Sequence, residues 1–152
     1  MSFRGLSTIN LDAKGRMAMP ARFRETIDAG CQGKLVVTIE EEGKSLAIYP
    51  LQRFEEIQRK LEALPSLNAA AKRLKRLIIG HATDVELDGS GRILIPPTLR
   101  SFAKLDKRAV LVGQGQRLEL WDEDTWNSNR EEWLNDDDAR ELNNEVLQSL
   151  SL

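Results

Sequence analysis

At 152 residues, with 41% hydrophobic and 30% charged content, the chain has the composition of a soluble globular protein and enough apolar material for a proper core. No apolar run approaches the ~18 residues a bilayer span needs, and the N-terminus has no apolar signal core, so a cytoplasmic protein is expected; the lone Cys31 and lone His81 exclude a disulfide framework and a Cys- or His-based metal site. The net charge of −2 hides a division: residues 122–152 hold ten acidic and two basic residues, net −8, while residues 1–121 hold twenty basic and fourteen acidic, net +6. That is the balance of a polyanion-binding body with an acidic appendage, although a charged segment on its own is more often just a solvated surface.

In chain order, Ile9 and Leu11 alternate with Thr8 and Asn10, and Met17 and Met19 resume the apolar face after Asp12-Ala-Lys-Gly-Arg16, which predicts a β-hairpin. Gly at the third loop position fits a type I turn closed by a left-handed bulge. Pro20 then opens a short helical turn, Leu35–Ile39 and Leu46–Tyr49 read as strands joined through Gly43, and 51–64 reads as a helix with Phe54, Ile57, Leu61 and Leu64 on one face. A second helix over 68–79 carries Lys72, Arg73 and Arg76 on one face, a solvated surface or a strip for a nucleic-acid backbone. His81, without a ligand partner, reads as a buried, hydrogen-bonded histidine.

The plan then repeats. Val85, Leu87, Ile93 and Ile95 flank Asp88-Gly-Ser-Gly-Arg92, Pro96 opens a helical turn, 109–112 and 117–121 read as strands around Gly113–Gly115, and 123–134 as a helix with Trp126, Trp133 and Leu134. Laying residues 9–24 on 85–100 gives six identities in sixteen: Leu11/Leu87, Asp12/Asp88, Gly15/Gly91, Arg16/Arg92, Pro20/Pro96 and Arg24/Arg100. A C-terminal helix is expected over 139–150 with Ala139, Leu142, Val146 and Leu150 in a stripe. No low-complexity linker separates the copies, so one fused body is expected.

A turn needs Gly15 or Gly91 for positive φ and profits from Asp12 or Asp88 as an acceptor for its amides, yet it does not need Arg at the first position of the return strand. Arg16 and Arg92, each beside its Asp, suggest outward guanidinium groups held for a phosphate or for the O6/N7 edge of guanine. Lys14 at the first tip adds a phosphate contact where the second tip has Ser90, so the first hairpin is the better reader; Arg4, Arg22 and Arg24 are near in sequence and extend the candidate patch. The second hairpin is expected mainly to support the fold, with Arg92 a further candidate. Enzymatic readings fail: an Arg beside each Asp holds both ionised, unlike two acids sharing a proton, and no phosphate loop, dinucleotide fingerprint or nucleophile–base pair is present.

The two motifs Asp-Ala-Lys-Gly-Arg-Met-Ala-Met-Pro and Asp-Gly-Ser-Gly-Arg-Ile-Leu-Ile-Pro, with Leu77-Ile-Ile-Gly-His-Ala between them and Leu118-Glu-Leu-Trp-Asp after, closely resemble bacterial MraZ proteins over nearly the whole chain. The resemblance implies an α+β fold in which two AbrB-like modules of the swapped-hairpin type fuse into one pseudo-two-fold β core with flanking helices. The expected organisation is a first module over 5–52, connecting helices over 53–80, a second module over 81–124 and an acidic helical segment over 125–152. It further implies a nucleoid-associated ring, an octamer or larger, that binds short direct repeats of double-stranded DNA in its own promoter and regulates the division and cell-wall gene cluster. No cofactor, metal, membrane or small-molecule substrate is expected. The alternative class is an AbrB-like antitoxin or protein-interaction module working through the acidic segment.

Overall fold

A computed structural model of the chain describes residues 1–135 and 144–151. In chain order it contains β1 (Phe3–Asn10), β2 (Arg16–Ala18), α1 (Ala21–Cys31), β3 (Lys34–Ile39), β4 (Leu46–Pro50), α2 (Leu51–Glu62), α3 (Ala69–Ile78), β5 (Thr83–Glu86), β6 (Arg92–Leu94), α4 (Pro97–Phe102), β7 (Arg108–Gly115), β8 (Leu118–Asp122), α5 (Glu123–Asn135) and α6 (Asn144–Ser149). Pro20, Pro50 and Pro96 stand at the N-caps of α1, α2 and α4, where a missing N–H leaves nothing unpaired. Asn68 caps α3 through its side chain, which accepts from the Ala71 N–H at 3.1 Å.

Six antiparallel strands form one sheet in the order β1-β7-β8-β4-β3-β5. Exchanging the two sequence copies reverses this order onto itself, so the sheet has a pseudo-two-fold axis between β4 and β8, where Leu46 faces Leu120 and Ile48 faces Leu118. Neither copy closes a sheet alone, because β1 of the first pairs with β7 of the second and β5 of the second with β3 of the first. The duplicated, fused α+β architecture is therefore as expected.

The hairpin read from periodicity within each copy is not, whereas an exchange of return strands between copies is what the swapped-hairpin resemblance implies. Beyond a single bridge from Leu11 to Met17, each return strand leaves its own partner, and β2 pairs with β6 in a separate two-stranded ribbon, Arg16 opposite Leu94, Met17 opposite Ile93 and Ala18 opposite Arg92. Only the turn of each expected hairpin survives. The alternation of apolar and polar residues fixed which side chains face inward, and Met17, Met19, Ile93 and Ile95 are all at most 1% exposed; it carries no information about which strand lies alongside.

The remaining differences are local. Pro20 opens three turns of helix rather than one, with Phe23, Ile27 and Cys31 buried. Gly113 lies inside β7 rather than in the turn, opposite Gly5, where a side chain at 113 would run into the Arg4 backbone of β1. Helix α2 ends at Glu62 and leaves Leu64 exposed. On α5, Trp126 and Trp133 pack edge-to-face on Trp121 with centroids 5.5 and 5.6 Å away, while Leu134 points to solvent. Of the expected C-terminal stripe, Ala139 and Leu142 lie outside the described residues, and Val146 and Leu150 are exposed. His81 is half-buried, its Nδ1 2.9 Å from the Leu77 carbonyl oxygen.

The β3–β4 turn holds a dense charge cluster. Arg117 donates to Glu41 at 3.0 Å, Glu119 at 2.8 Å and the Tyr49 hydroxyl at 2.8 Å, and its guanidinium lies 3.7 Å from the carboxylate of Glu40. Glu40, with a side chain only 5% exposed, accepts one hydrogen bond, from the Glu42 N–H at 3.0 Å. Burial, and next the charge of Glu41, push its carboxyl up to about 7 from an ordinary 4.5. A carboxyl whose proton is held more tightly in the folded state stabilises the fold most below its unfolded value, and that contribution is lost as pH rises through about 7. Urea unfolding of the wild type should therefore show stability declining from about pH 5 to about pH 8, and Glu40→Gln should flatten that decline. Equal pH dependence in the two proteins would contradict the assignment.

Candidate nucleic-acid interface

Each turn is built by one aspartate. Asp12 Oδ1 accepts from the backbone N–H groups of Lys14 and Arg16, both at 2.9 Å, and Oδ2 accepts from the Arg16 Nε at 2.8 Å. The Asp12 carbonyl accepts from Gly15 N–H at 3.0 Å, and Gly15 takes φ +85°, the left-handed bulge expected of it. The second turn repeats the arrangement: Asp88 accepts from the N–H groups of Ser90 at 2.8 Å and Arg92 at 2.9 Å and from the Arg92 Nε at 3.2 Å, with Gly91 at φ +74°.

These contacts set the charge state. The Arg16 backbone N–H first, and then its side chain and the Lys14 N–H, hold the Asp12 carboxyl well below the usual carboxylate range, at about 2; Asp88 is lowered in the same way, chiefly by the Arg92 N–H. Both stay ionised, each with its own cation, so the pair cannot share a proton as an acid–base dyad. An exposed ion pair adds little to stability. What it fixes is orientation, because Asp occupies Nε and leaves Nη1 and Nη2 of Arg16 without a hydrogen-bond partner among the described residues. That free end can make two parallel hydrogen bonds to guanine O6 and N7 or to a phosphate.

The ribbon brings the two arginines onto one surface. Since Met17, Met19, Ile93 and Ile95 point inward, Arg16, Ala18, Arg92 and Leu94 point outward. Arg16 and Arg92 stand on a diagonal of this face, about 7–8 Å apart at their Cα atoms for such neighbours. The turns lie at opposite ends, and each end is fastened to the other copy, Met19 N–H donating to the Gly91 carbonyl and Ile95 N–H to the Gly15 carbonyl, both at 2.9 Å.

Two further arginines lie beneath the turns. Arg100 of α4 donates from Nε to the Ile95 carbonyl at 3.0 Å and packs its guanidinium on Gly15; Arg24 of α1 donates from Nη2 to the Met19 carbonyl at 3.1 Å and packs on Gly91. Each helix thus supports the other copy's turn. Arg24, expected in the patch beside the first tip, sits half-buried under the second. Arg100 is absent from the residues that the sequence motifs single out, although the repeat aligns it with Arg24 and so holds the signal.

Not all the candidates converge. Lys14 is exposed at the first tip, with no partner for its ammonium group among the described residues. Arg22 donates to Ser7 Oγ at 2.7 Å and lies 4.6 Å over the Phe23 ring, beside the middle of β1. Arg4 stands near the start of β1, eight residues of extended chain from Asp12, on the order of 25 Å at the rise of a strand. Lys72, Arg73 and Arg76 are exposed on α3. Among the described residues no group of three or more His, Cys, Asp or Glu could hold a metal ion, and no helix is long and apolar enough to cross a membrane.

The family model of the MraZ protein matches this chain twice, over residues 2–77 and 78–146, so it meets the same duplication that the strand order shows. Two relatives align over 99% of both chains: one from Thioalkalivibrio sulfidiphilus, 51% identical over 150 residues, and one from Halorhodospira halophila, 52% identical over 152. One from Pseudomonas putida is 56% identical over 126 residues, 83% of each chain. All three carry the name Transcriptional regulator MraZ.

The turn geometry separates two glycines of similar setting. Gly15 has positive φ, and a Cβ there would collide with the Arg100 guanidinium; at Gly89 a Cβ would meet nothing within 4 Å, and no left-handed backbone is required. Gly15→Ala should cost about 1 to 3 kcal/mol, and Gly89→Ala should be neutral or stabilise by about 0.4–1 kcal/mol. Denaturant titration of both variants decides. Equal effects would show that the turns are not held as described.

Proposed function

Since the chain belongs to the MraZ family, whose relatives are named transcriptional regulators, we propose that it is a DNA-binding regulator that inserts the β2–β6 ribbon into the major groove and reads guanine with Arg16 and Arg92. The observation that carries this reading is the outward face of the ribbon, where each arginine is tied to its aspartate through Nε and presents a free Nη end. A two-stranded ribbon fits the ~12 Å width of the major groove, where Arg to guanine O6/N7 is the commonest specific contact. Lys14 adds a phosphate contact at one end. Asp12, Gly15, Asp88 and Gly91 hold the turns, with Arg24 and Arg100 beneath them; Arg4 and Arg22 would meet DNA only beyond the ribbon.

Two arginines and one lysine are too few contacts for promoter-level discrimination, which needs a factor of about 10³ or more over non-specific binding. The reading is completed by a ring of eight or more subunits that presents many ribbons, so each further repeat binds at high effective concentration. Subunits following head-to-tail around a ring share one orientation, which suits direct rather than inverted repeats. On this reading the repeats lie in the chain's own promoter, ahead of the division and cell-wall genes.

Arg16→Ala should fold and assemble as the wild type while losing repeat-specific binding, since each Arg–guanine pair contributes about 1 to 3 kcal/mol. Lys14→Ala should weaken binding to all sequences alike and lower the salt-dependence slope by about 1 per bound subunit. Wild-type affinity should rise steeply with the number of repeats and fall back when about five base pairs, half a turn of duplex, separate two of them. Undiminished binding by a folded Arg16→Ala protein, measured by fluorescence anisotropy, would overturn the reading. So would equal affinity for one repeat and for three.

A further inference from the structure

Resting on the DNA-reading assignment above, we propose that Leu94 is itself a base-reading residue, seated against the 5-methyl group of a thymine beside the guanine met by Arg16, and that it gives the ribbon its direction along the duplex. Leu94 is 50% exposed, whereas Ile93 and Ile95 on either side of it are 1% and 0% exposed. It is therefore not an edge of the core. Its place on the strand turns it to the outer face, opposite Arg16 and two residues beyond Arg92.

The argument turns on symmetry. Asp12/Asp88, Gly15/Gly91 and Arg16/Arg92 are identical in the two halves, so the pseudo-two-fold that relates β2 to β6 carries one arginine onto the other. A ribbon with the arginines alone would dock equally well in either direction, yet direct repeats require one. On the outer face of the strands the halves differ at a single pair of positions, Ala18 and Leu94; at the turn tips they differ at Ala13-Lys14 against Gly89-Ser90. Lys14 reaches phosphate, which is the same for every base. Leu94 reaches bases.

Leucine is also the wrong residue for a merely solvated ribbon, where Thr or a charged side chain would serve. In the major groove, the one apolar feature that a base edge offers is the thymine methyl. Cross-strand neighbours place their Cβ atoms about 4.5–5.5 Å apart, so the Leu94 side chain falls within one or two base steps of the guanine beneath Arg16. At the other end, Ala18 beside Arg92 is too short to make the same contact. One end thus reads guanine with thymine and the other guanine alone.

The test uses the full chain and duplexes recovered by in vitro selection from a random library. Each thymine is replaced in turn by deoxyuridine, which removes only the methyl group. One thymine next to a guanine should show an affinity loss of about four-fold per repeat, the worth of one buried methyl. Leu94→Ala should lose at least that much on the thymine duplex and nothing more on the uracil duplex. Ala18→Leu should raise affinity for a duplex in which one repeat is inverted. A Leu94→Ala protein that retains the uracil penalty, or that binds as tightly as the wild type, overturns the proposal; a retained penalty with a smaller particle in light scattering assigns Leu94 to contact between copies instead. Selected sites that depend on Arg16 but hold no thymine beside guanine overturn this inference alone. Failure of the wild type to select any sequence overturns the DNA-reading assignment with it.

Discussion

The proposed DNA-reading surface depends on β2 and β6 pairing with each other. Each is three residues long, too short to form a stable ribbon unaided. The pair persists because its inner face, Met17, Met19, Ile93 and Ile95, is fully buried, and because the strand ends are hydrogen-bonded to Gly91 and Gly15 of the opposite copies. Once the return strands have exchanged, two turns far apart in sequence become the two ends of one surface. The same exchange explains why Arg24 and Arg100 each support the turn of the other half.

Charge is used in two different ways around this scaffold. At the turns, Asp12 and Asp88 are exposed and ionised, and their work is geometric: backbone N–H groups hold the carboxylate, and the carboxylate holds the guanidinium by one edge. Such pairs contribute little to folding and much to orientation. Around Arg117, by contrast, three carboxylates crowd one cation in a half-buried setting, and the least well paired of them, Glu40, holds its proton up to about pH 7. The first arrangement holds each guanidinium in one orientation, and the second couples fold stability to pH.

The turns were legible in the sequence because their chemistry is local. Gly at the left-handed position, Asp accepting from amides two and four residues on, and Pro before each helix are requirements that a short stretch meets alone. The inward faces of the strands were legible for the same reason. Strand partners were not, since the alternation at Met17 and Met19 is satisfied equally by β1 or by β6. For that reason the sequence alone groups Arg24 with the first turn, and sets Arg4 beside a turn from which a whole strand separates it. The Arg24/Arg100 identity and the Ala18/Leu94 difference both stood in the repeat, but their meaning required knowing that the halves meet face to face. On α5, periodicity grouped Leu134 with Trp126 and Trp133, whereas only the two tryptophans reach Trp121.

The central claim, that one ribbon made from both copies reads the major groove, is tested most directly by dimethyl sulfate interference on a single bound repeat. Methylation marks guanine N7 in the major groove and adenine N3 in the minor groove, so one reaction reports on both. The account predicts that two guanines about two base steps apart become intolerant of methylation, since the diagonal of about 7–8 Å between the arginines spans roughly that distance. Arg16→Ala should release one guanine and Arg92→Ala the other, with no effect at adenine N3. Interference at adenine N3, or a pattern that Arg92→Ala leaves unchanged, would contradict it.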